Sequence, residues 1–504
     1  MEDTKREIER KYEAAEQAAV PDLDGIPGVA AVRDEGVMEL DAVYYDTPDL
    51  RLAAGALTLR RRTGGSDAGW HLKLPVAPGT RDEIRAPLAD TLPRSLERLL
   101  RSRVRREDVV PVVRLRSRRD VRHLLDADGS LLAELSVDTV HADRLTGGGK
   151  AAWTEIEVEL ADDADEAVLD AVEKRLKKAG IRPSHAPSKL ARALAETGGG
   201  PTEPPPAAAP GTAGHAVLAY VREQIEAVVA HDPAVRREVP DAVHKMRVAT
   251  RRLRSAFKTY RKVLDRRVTD PIGEELKWLA GELGVARDEE VLHQRLSDRL
   301  DALPDTLLLG PVHARLRVHG LKRAEEARRT VLAALDSDRH LALLDRLAAL
   351  LADPPLRKAA AHDAPEVLAR AARKDFDRLA GRIDRALALG PGPERDRALH
   401  EARKAAKRAR YAGESARPVL GKPAKRFVKR VKAVQSCLGD HQDSVVTRAA
   451  LRDLAVRAHA ARESAFTWGV LYGREAAAGE ARERELPELW EWASAPEIRA
   501  ALSH

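Results

Sequence analysis

The feature that most constrains this chain is one segment that cannot fold into a core. Residues 198–215 read GGGPTEPPPAAAPGTAGH, nearly all Gly, Pro, Ala or Thr. Such a composition buries little apolar surface and favours extended, polyproline-like conformations. The 504 residues of the chain also exceed what one hydrophobic core usually holds. We therefore predict a domain at residues 1–197, a linker at 198–214 and a second domain at 215–504.

The two sides of this linker differ in hydrophobic period. Short runs before it alternate or are rich in β-forming residues, and Gly-rich turns separate them, which predicts an antiparallel sheet with a few helices. The chain after it consists of long Ala, Leu, Arg and Glu stretches of helical period, broken by Pro or Gly. This second pattern predicts an all-helical domain.

The helical part repeats itself. The segment from His244 to Arg254 matches the one from His400 to Arg410 at an offset of 156 residues, the difference between 400 and 244. Leu283-Gly284-x-x-x-Asp288 matches Leu438-Gly439-x-x-x-Asp443 at an offset of 155. Two motifs at nearly one offset indicate a duplicated bundle of about four helices. The two repeats are predicted at about 215–355 and 360–504.

Composition limits the compartment and the partners. The single cysteine, Cys437, can form neither an internal disulfide nor a cysteine-rich zinc site, which favours a reducing compartment. The N-terminus is charged throughout and no window of about 20 apolar residues occurs, so we expect a cytoplasmic protein without a membrane span. The 87 basic residues exceed the 80 acidic ones only slightly, and their distribution along the chain is more informative.

Charged residues recur at period two along several predicted strands, with apolar residues between them. Solvated outer faces of strands usually mix both signs, whereas the middle strands here carry only basic residues and the last only acidic ones. This sorting predicts a barrel lined by charge and packed outside by helices. The four charged faces comprise Glu7, Glu9 and Lys11; Arg60 and Arg62; Arg114, Arg116 and Arg118; and Glu155, Glu157 and Glu159.

Clustered carboxylates inside a barrel require cations. Two of them about 5 Å apart repel by roughly 3 kcal/mol at an effective dielectric near 20. Because no His or Cys stands beside them at metal-ligand spacing, a hard ion such as Mg²⁺ or Mn²⁺ is the natural completion. Basic side chains opposite a carboxylate-bound metal suit a polyphosphate substrate.

Several segments together carry a family resemblance. Glu7-Ile8-Glu9-Arg10-Lys11 resembles the ExExK signature of the CYTH family, the class of the triphosphate tunnel metalloenzymes. The similarity covers residues 1–195, and the segments in order make it specific. They continue with Tyr44-Tyr45-Asp46-Thr47, Leu59-Arg60-Arg61-Arg62, Trp70-His71-Leu72-Lys73, Arg81-Asp82-Glu83, Glu134-Leu135-Ser136-Val137-Asp138, Glu155-Ile156-Glu157-Val158-Glu159 and Ser188-Lys189.

The resemblance implies an eight-stranded antiparallel tunnel that binds a linear triphosphate and one or two metal ions. Arg114 shares the strand parity of Arg116 and Arg118, so which of the three contacts substrate stays open. The implied metal ligands are Glu7, Glu9, Asp138, Glu157 and Glu159. The implied catalytic residues are Lys11, Arg60, Arg62 and Lys73, and these bind substrate together with Arg116, Arg118 and Lys189.

Basic stripes mark the helical half. His244, Arg247, Arg251, Arg254 and Lys258 fall on one helical face without intervening acid, and the second repeat has a matching stripe. Solvated helices usually intersperse Glu at i,i+4, so these stripes favour binding of a large anion over a merely solvated surface. The predicted anion ligands are His244, Arg247, Arg251, Arg252, Arg254, Lys258, His400, Arg403, Lys404, Lys407, Arg408, Arg410, Lys425 and Lys429.

These stripes, with the two Leu-Gly-x-x-x-Asp motifs, resemble the CHAD domain, the conserved histidine α-helical domain often fused to CYTH. The similarity covers roughly residues 213–500. It implies two four-helix bundles that bind inorganic polyphosphate. Ala402 and Ala409 stand where larger apolar residues are expected, which affects local packing and leaves the basic face unchanged.

Three hypotheses follow. The first is a metal-dependent hydrolase of inorganic triphosphate with a helical domain that binds polyphosphate. The second is an enzyme on the same tunnel that acts on an organic triphosphate, either thiamine triphosphate or ATP as an adenylate cyclase. The third is a non-enzymatic polyphosphate or nucleic-acid binder. Nucleic acid is disfavoured because base stacking requires aromatic platforms, and the chain has only 6 Trp, 7 Tyr and 4 Phe. The sequence leaves the oligomeric state undetermined.

Overall fold

The computed structural model describes residues 3–14, 20–65, 67–201 and 206–500. The chain forms two compact units, Met1–Glu203 and Pro204–His504. The division falls inside the predicted linker, of which residues 202–205 lie outside the described part. Each unit is described by itself below.

The first unit is mainly β-structure. Its described residues form nine strands: β1 Asp3–Ala14, β2 Ala31–Asp46, β3 Thr58–Thr63, β4 Gly69–Ala77, β5 Thr80–Pro87, β6 Val110–Leu125, β7 Leu131–Arg144, β8 Lys150–Leu160 and β9 Arg182–Pro183. They also form four helices: α1 Arg51–Ala54, α2 Arg94–Val104, α3 Ala167–Lys178 and α4 Lys189–Glu196.

Eight of these strands close into a barrel. The sheet runs β5-β4-β3-β2-β6-β7-β8-β1, and β1 also pairs with β5, so the first eight strands leave no free edge between them. The pairings in this ring are all antiparallel. The two-residue β9 adds to β1 outside the ring. The predicted eight-stranded antiparallel tunnel is confirmed.

Helices cover the apolar outside of the barrel. Leu96 and Leu100 of α2 share a core with Leu72 of β4 and Ile84 of β5. In the same way α3 packs on β7 and β8, with Leu176 among the fully buried residues. Burying these outer faces leaves the charged positions of the same strands pointing inward, because side chains alternate along a strand.

A short helix fills one end of the barrel, a feature that the sequence analysis did not anticipate. Leu190 and Leu194 of α4 are almost completely buried in one core with Tyr44 of β2, Val140 of β7 and Trp153 of β8. These strand residues have the parity of the inward-facing charged positions. The helix therefore packs inside the barrel and closes that end.

The second unit is helical, as predicted. None of its described helices combines the length and the apolar composition that a membrane span requires, and the same holds for those of the first unit. Its described helices are α5 Ala213–Arg236, α6 Ala242–Thr259, α7 Arg266–Asp301, α8 Val312–Asp336, α9 Asp338–Ala352, α10 Ala364–Leu387, α11 Pro393–Leu420, α12 Lys422–Ala460, α13 Phe466–Ala493 and α14 Pro496–Ala500.

Each repeat supplies four long helices and one shorter one. Helices α5–α9 build one core and α10–α14 build the second, so each bundle has a fifth helix beyond the predicted four. Helix α9 begins after Ser337, whose hydroxyl accepts a hydrogen bond from the His340 amide. Its residues Leu343, Leu347 and Leu350 share one face and are buried in the first core. A third core joins α7 and α8 to α12 and α13.

Candidate functional site

The inward face of the barrel encloses a cavity of about 240 Å³. Among the described residues its lining includes nine cations and seven carboxylates. The cations are Lys5, Lys11, Arg60, Arg62, Lys73, Arg81, Arg85, Arg119 and Lys189. The carboxylates are Glu7, Glu9, Asp67, Glu83, Glu134, Glu157 and Glu159. The structure thus brings together nine of the residues predicted for the tunnel: Glu7, Glu9, Lys11, Arg60, Arg62, Lys73, Glu157, Glu159 and Lys189.

Towards the open mouth, the lysines are paired with carboxylates. Lys73 Nζ lies 2.6 Å from Glu7 Oε2, and Lys5 Nζ lies 2.5 Å from Glu159 Oε1. Lys11 Nζ lies 3.2 Å from Glu9 and also contacts Glu157. These carboxylates are therefore neutralised by Lys11 and Lys73, which were predicted to hold phosphate, and by Lys5, which was not predicted as a site residue.

At the inner end, Lys189 reaches into the barrel from the first turn of α4. Ser188 caps this helix by accepting a hydrogen bond from the Ala191 amide at 3.1 Å, so the helix begins at Lys189. Its Nζ lies 2.9 Å from Asp138, 2.7 Å from Glu155 and 2.6 Å from Glu157. One ammonium thus gathers three carboxylates that lie close enough to one another to hold a metal ion.

Asp138, predicted as a metal ligand, is fully buried, and its two oxygens accept hydrogen bonds from Nε and Nη2 of Arg119, both at 2.8 Å. Lys189 contacts the same carboxylate. Asp138 thus positions two cations, and with Glu155 and Glu157 it forms the group of carboxylates that could hold a metal ion.

The assignment of Arg116 and Arg118 to the tunnel is wrong. Both are exposed on the outside of β6, where Arg116 pairs with Asp143 at 2.6 Å. The open choice among the three arginines is settled against all of them, since Arg114 is also outside and donates to Asp41 at 2.9 Å. The inward position on β6 belongs to Arg119, at the opposite parity.

Strand β5 contributes site residues that were not predicted: Arg81 and Glu83, which belong to the family-like segment Arg81-Asp82-Glu83, and Arg85. Arg81, Glu83 and Arg85 alternate along the strand, and all three line the cavity. Glu83 is 1% exposed and receives His71 Nδ1 at 3.0 Å, Arg85 Nε at 2.5 Å and Arg60 Nη2 at 3.4 Å. The period-two spacing of Arg81, Glu83 and Arg85 is the signal that could have found them.

Burial and charge act differently on individual groups of the cavity. Burial raises the pKa of Glu7, and the neighbouring Glu83 and Glu159 add to the rise against the opposing effect of Lys73. Burial would also raise the pKa of Glu157, but Lys11 and Lys189 outweigh it and hold that pKa well below its usual value. At Glu7, burial and the neighbouring carboxylates therefore outweigh the compensation by Lys73.

Two further shifts concern bases. Burial lowers the pKa of Arg62 to about 9, and the nearby Arg60 and Arg119 contribute to the decrease. Burial lowers the pKa of His71 to about 4 despite its hydrogen bond with Glu83. His71 is consequently neutral at physiological pH. An anion placed between Arg62 and the other two guanidinium groups would stabilise the charged form of Arg62.

In the helical unit, the two Leu-Gly-x-x-x-Asp motifs each receive an arginine from the preceding helix. Arg247 of α6 passes over Gly284 and donates to Asp288 at 2.8 Å. Arg403 of α11 passes over Gly439 and lies 3.4 Å from Asp443. A Cβ at Gly284 would lie 3.2 Å from Arg247 Nη2. Because glycine has no side chain, it leaves room for the guanidinium group in each motif, and the aspartate orients that group.

Between these two arginines stand cations that form no ion pair among the described residues: Arg251, Arg254, Lys258 and Lys407. Arg251 donates to the Tyr411 hydroxyl at 3.1 Å. Burial lowers the pKa of Lys407 to about 7, and Arg251, Arg403 and Arg247 add to the decrease. Mutually repelling cations of this kind form a ready site for an anion.

Other residues predicted for this surface have structural partners. Arg252 and Arg410 both pair with Glu414, at 2.9 and 2.6 Å. Arg408 pairs with Asp375 at 2.8 Å, and Lys404 pairs with Glu401 at 2.7 Å. His244 is exposed in the first turn of α6, and His400 Nδ1 lies 2.7 Å from Gln442. Lys425 and Lys429 are exposed on α12, and Lys429 is about 15 Å along the axis from Gly439.

The sequence near Gly439 also fixes α12 to its neighbours. Asp440, His441 and Asp443 lie in the middle of this helix. The buried His441 Nε2 lies 3.0 Å from Glu483 and 3.4 Å from Asp396. Arg395 lies 3.0 Å from Glu483, and Arg448 lies 3.9 Å from Asp396. These arginines balance both carboxylates, so the cluster joins α11, α12 and α13 without requiring an ion.

Comparison with known proteins divides the chain in the same two parts. The CYTH domain family model matches residues 5–194, and the CHAD domain family model matches residues 219–452. An uncharacterised protein of Mycobacterium tuberculosis strain H37Rv is 40% identical in an alignment 489 residues long, and the alignment covers 93% of each chain.

Similar solved structures cover only a share of this chain. PptA from Streptomyces chartreusis is 25% identical with a TM-score of 0.47, over 56% of this chain and 99% of its own. A Bacillus halodurans protein described as a candidate adenylate cyclase is 18% identical with a TM-score of 0.26, over 38% of this chain and 97% of its own.

Proposed function

Because this chain belongs to the family of proteins in which a CYTH domain precedes a CHAD domain, we propose that its barrel hydrolyses inorganic triphosphate with a divalent metal ion and that its helical unit binds polyphosphate. The lining of the cavity carries the proposal. It is almost wholly charged, and Tyr44 is the one aromatic side chain among its described residues. A nucleobase or thiamine ring would find little to stack on, which favours an inorganic substrate over an organic triphosphate.

The cations of the cavity supply the anion site. Lys11, Arg60, Arg62, Lys73 and Lys189 hold phosphate in this proposal, and Arg81, Arg85 and Arg119 join them from the structure. Water adds to a terminal phosphorus while the bond to the bridging oxygen breaks, which gives orthophosphate and pyrophosphate. Phosphoryl transfer depends mainly on positioning and on charge stabilisation. Fixed guanidinium and ammonium groups around the transferring group provide both.

The carboxylates Glu7, Glu9, Glu157 and Glu159 fit a hard divalent ion, either Mg²⁺ or Mn²⁺. The raised pKa of Glu7 is the observation that supports this, since burial beside other carboxylates leaves its charge in need of a cation. A bound ion would polarise phosphoryl oxygens and neutralise part of the substrate charge.

Metal and triphosphate are expected to bind together. Lys73 and Lys5 now neutralise Glu7 and Glu159. If these lysines turn to phosphate, their carboxylates are left with buried, uncompensated charge, which is costly unless a metal ion takes the place of the ammonium group. The chain therefore exchanges lysine–carboxylate pairs for lysine–phosphate and metal–carboxylate pairs in one step.

The closed inner end favours a short substrate. Helix α4 fills the barrel beside Tyr44 and Trp153, and Lys189 marks the innermost polar position. At the other end, Lys5 and Glu159 remain partly exposed. A chain that enters there cannot pass through the barrel, so long polyphosphate is expected to bind mainly at the helical unit, where unpaired cations accept it without a metal.

Phosphate release from the purified chain tests the proposal. Inorganic triphosphate, ATP, thiamine triphosphate and long polyphosphate are compared under Mg²⁺ and under Mn²⁺. We expect the fastest release from inorganic triphosphate. Faster turnover of an organic triphosphate would support the second hypothesis instead. Tight polyphosphate binding without any hydrolysis would support the non-enzymatic binder.

A further inference from the structure

Lys407 occupies an unusual position in the helical unit. It lies on α11, which packs against α6, one turn after Arg403 and one turn before Tyr411, whose hydroxyl accepts a hydrogen bond from Arg251 of α6 at 3.1 Å. The carboxylate that acts on it is Asp443 of α12, which already lies 3.4 Å from Arg403 Nη2. Among the described residues, Lys407 forms no ion pair. Its ammonium group is therefore surrounded mainly by charges of its own sign.

The neighbours of Lys407 cannot relieve this repulsion by losing protons. Guanidinium groups stay protonated under all ordinary conditions, whereas a buried lysine readily gives up its proton. The duplication makes the contrast plain, because the residue 156 positions before Lys407 is Arg251. The pseudo-equivalent positions thus carry one permanent charge and one that can titrate.

We infer that Lys407 takes up a proton when polyphosphate binds, so that the affinity of this protein for polyphosphate falls as pH rises above neutrality. The inference rests on the polyphosphate binding proposed above and adds its regulation. A phosphate oxygen beside Lys407 replaces repulsion from three arginines with attraction to an anion, which favours the charged lysine.

The direction of the effect follows from the shift. Burial and the arginines lower the pKa of Lys407 to about 7 in the free protein, and a bound anion raises it. Affinity is therefore fully present below pH 7 and declines above it, by up to about tenfold per pH unit, until the pKa of the bound state is reached.

Other titratable and charged groups also face this site. Burial lowers the pKa of both His244 and His400 from the usual 6.5, and any proton that these histidines take up on binding is common to wild type and to variants at position 407. The remaining charged groups are the guanidinium groups of Arg247, Arg251 and Arg403 and the carboxylates of Asp288 and Asp443, which lie beside Arg247 and Arg403. Tyr411 lies beside Arg251 and presents a hydroxyl.

The test measures binding of long polyphosphate to the full chain between pH 6 and 9, at constant ionic strength with EDTA present. Wild type is compared with Lys407→Arg, which keeps the charge, and with Lys407→Met, which removes it. Lys374→Arg, at an exposed position of α10, is the matched control for the chemical change. All these variants have the same tunnel, so any polyphosphate that binds in the tunnel contributes equally to each measurement. Differences in affinity between the variants therefore report on Lys407.

We expect the wild-type affinity to fall roughly 50-fold from pH 7 to pH 9. The Lys407→Arg variant should lose far less over that range, and Lys374→Arg should follow the wild type. Lys407→Met should bind weakly at pH 6 and converge on the wild type at pH 9. Calorimetry at pH 7.5 in two buffers of different ionisation enthalpy should show more proton uptake by wild type than by Lys407→Arg.

Identical pH profiles and equal proton uptake for wild type and Lys407→Arg would overturn the inference while leaving polyphosphate binding intact. Absence of binding by every variant at pH 6 would instead overturn the proposed function. If Lys407→Met does not fold, the comparison of wild type with Lys407→Arg still decides the matter, because that variant preserves charge and approximate size.

Discussion

The two units present lysines in opposite electrostatic settings. Lys189 in the barrel contacts three carboxylates, and although burial would lower its pKa, Asp138 and Glu155 hold that pKa well above the usual value. Lys407 in the helical unit stands among arginines, and its pKa falls to about 7. The same side chain thus lies in both proposed anion sites, in one balanced by opposite charges and in the other repelled by like charges.

In the proposed function, this difference determines what must accompany the anion. Phosphate in the barrel would compete with carboxylates for the cations, so a metal ion would take over the carboxylates. In the helical unit, Arg251, Arg254, Lys258 and Lys407 form no ion pair within the described chain, so phosphate would meet no competing carboxylate at these four cations.

Removal of divalent metal separates the two units most sharply. With EDTA, we expect triphosphate hydrolysis to fall to background, because the carboxylates of the barrel lose the ion that compensates them. Polyphosphate binding by the same protein should persist with little change. Phosphate release and calorimetry on one preparation measure both. Loss of polyphosphate binding with EDTA would contradict the proposed difference between a metal-dependent barrel and a metal-independent helical unit.

Replacement of Glu157 by Gln should lower the rate of triphosphate hydrolysis by about 100-fold or more. The carboxylate contacts Lys11, Arg119 and Lys189, so its loss disturbs both cations and metal. Glu39→Gln, on the exposed outer face of β2, is the matched control and should retain activity. Steady-state phosphate release checks the rate, and full activity of the Glu157 variant at low metal would contradict the assignment.

The combined replacement of Arg251 and Arg254 by Ala should lower polyphosphate affinity about 30-fold or more, since two charge-assisted contacts are lost. The dependence of affinity on salt should weaken by about 1.4 units of slope, if each contact contributes as in single-stranded nucleic acids. The control removes the same charge at Arg328 and Arg329 of α8. An equal loss of polyphosphate affinity in the two variants would show that binding depends on general electrostatics and not on a specific site.

Alanine at the two motif glycines should produce the smallest and most asymmetric effects. At Gly284 the new Cβ would lie 3.2 Å from Arg247, and displacement of that guanidinium should lower polyphosphate affinity about threefold. At Gly439 the nearest atom of Arg403 is 3.5 Å away, an ordinary contact. There we expect unchanged affinity and about 0.5–1 kcal/mol more stability, from thermal unfolding and binding measurements.

Much of the barrel could be predicted because period two is a local signal. Glu7, Glu9 and Lys11 lie on one face by alternation alone, and the structure places all three in the cavity. The same rule gave a wrong prediction on β6, because Arg118 and Arg119 are adjacent in sequence and lie on opposite faces of the strand. The alternation of Leu115, Ser117 and Arg119, all buried or half-buried, marks the true inward face once burial is known.

Partner choice could not be predicted, since it depends on residues far apart in sequence. Arg252 pairs with Glu414, 162 positions away, and Arg408 pairs with Asp375 on another helix. Acid-free stripes therefore identified the basic faces but not which cations are free for a ligand. Helix α4 is only eight residues long, too short for its period to show that it enters the barrel.

The closure of the barrel by α4 has a kinetic consequence. Since Leu190 and Leu194 occupy the far end, the products of the proposed triphosphate hydrolysis, pyrophosphate and orthophosphate, would leave through the same opening by which the next triphosphate enters. Entry and release would therefore exclude each other in time. Both products should act as competitive inhibitors, and the turnover rate should be limited by how long the cations nearest the opening retain pyrophosphate.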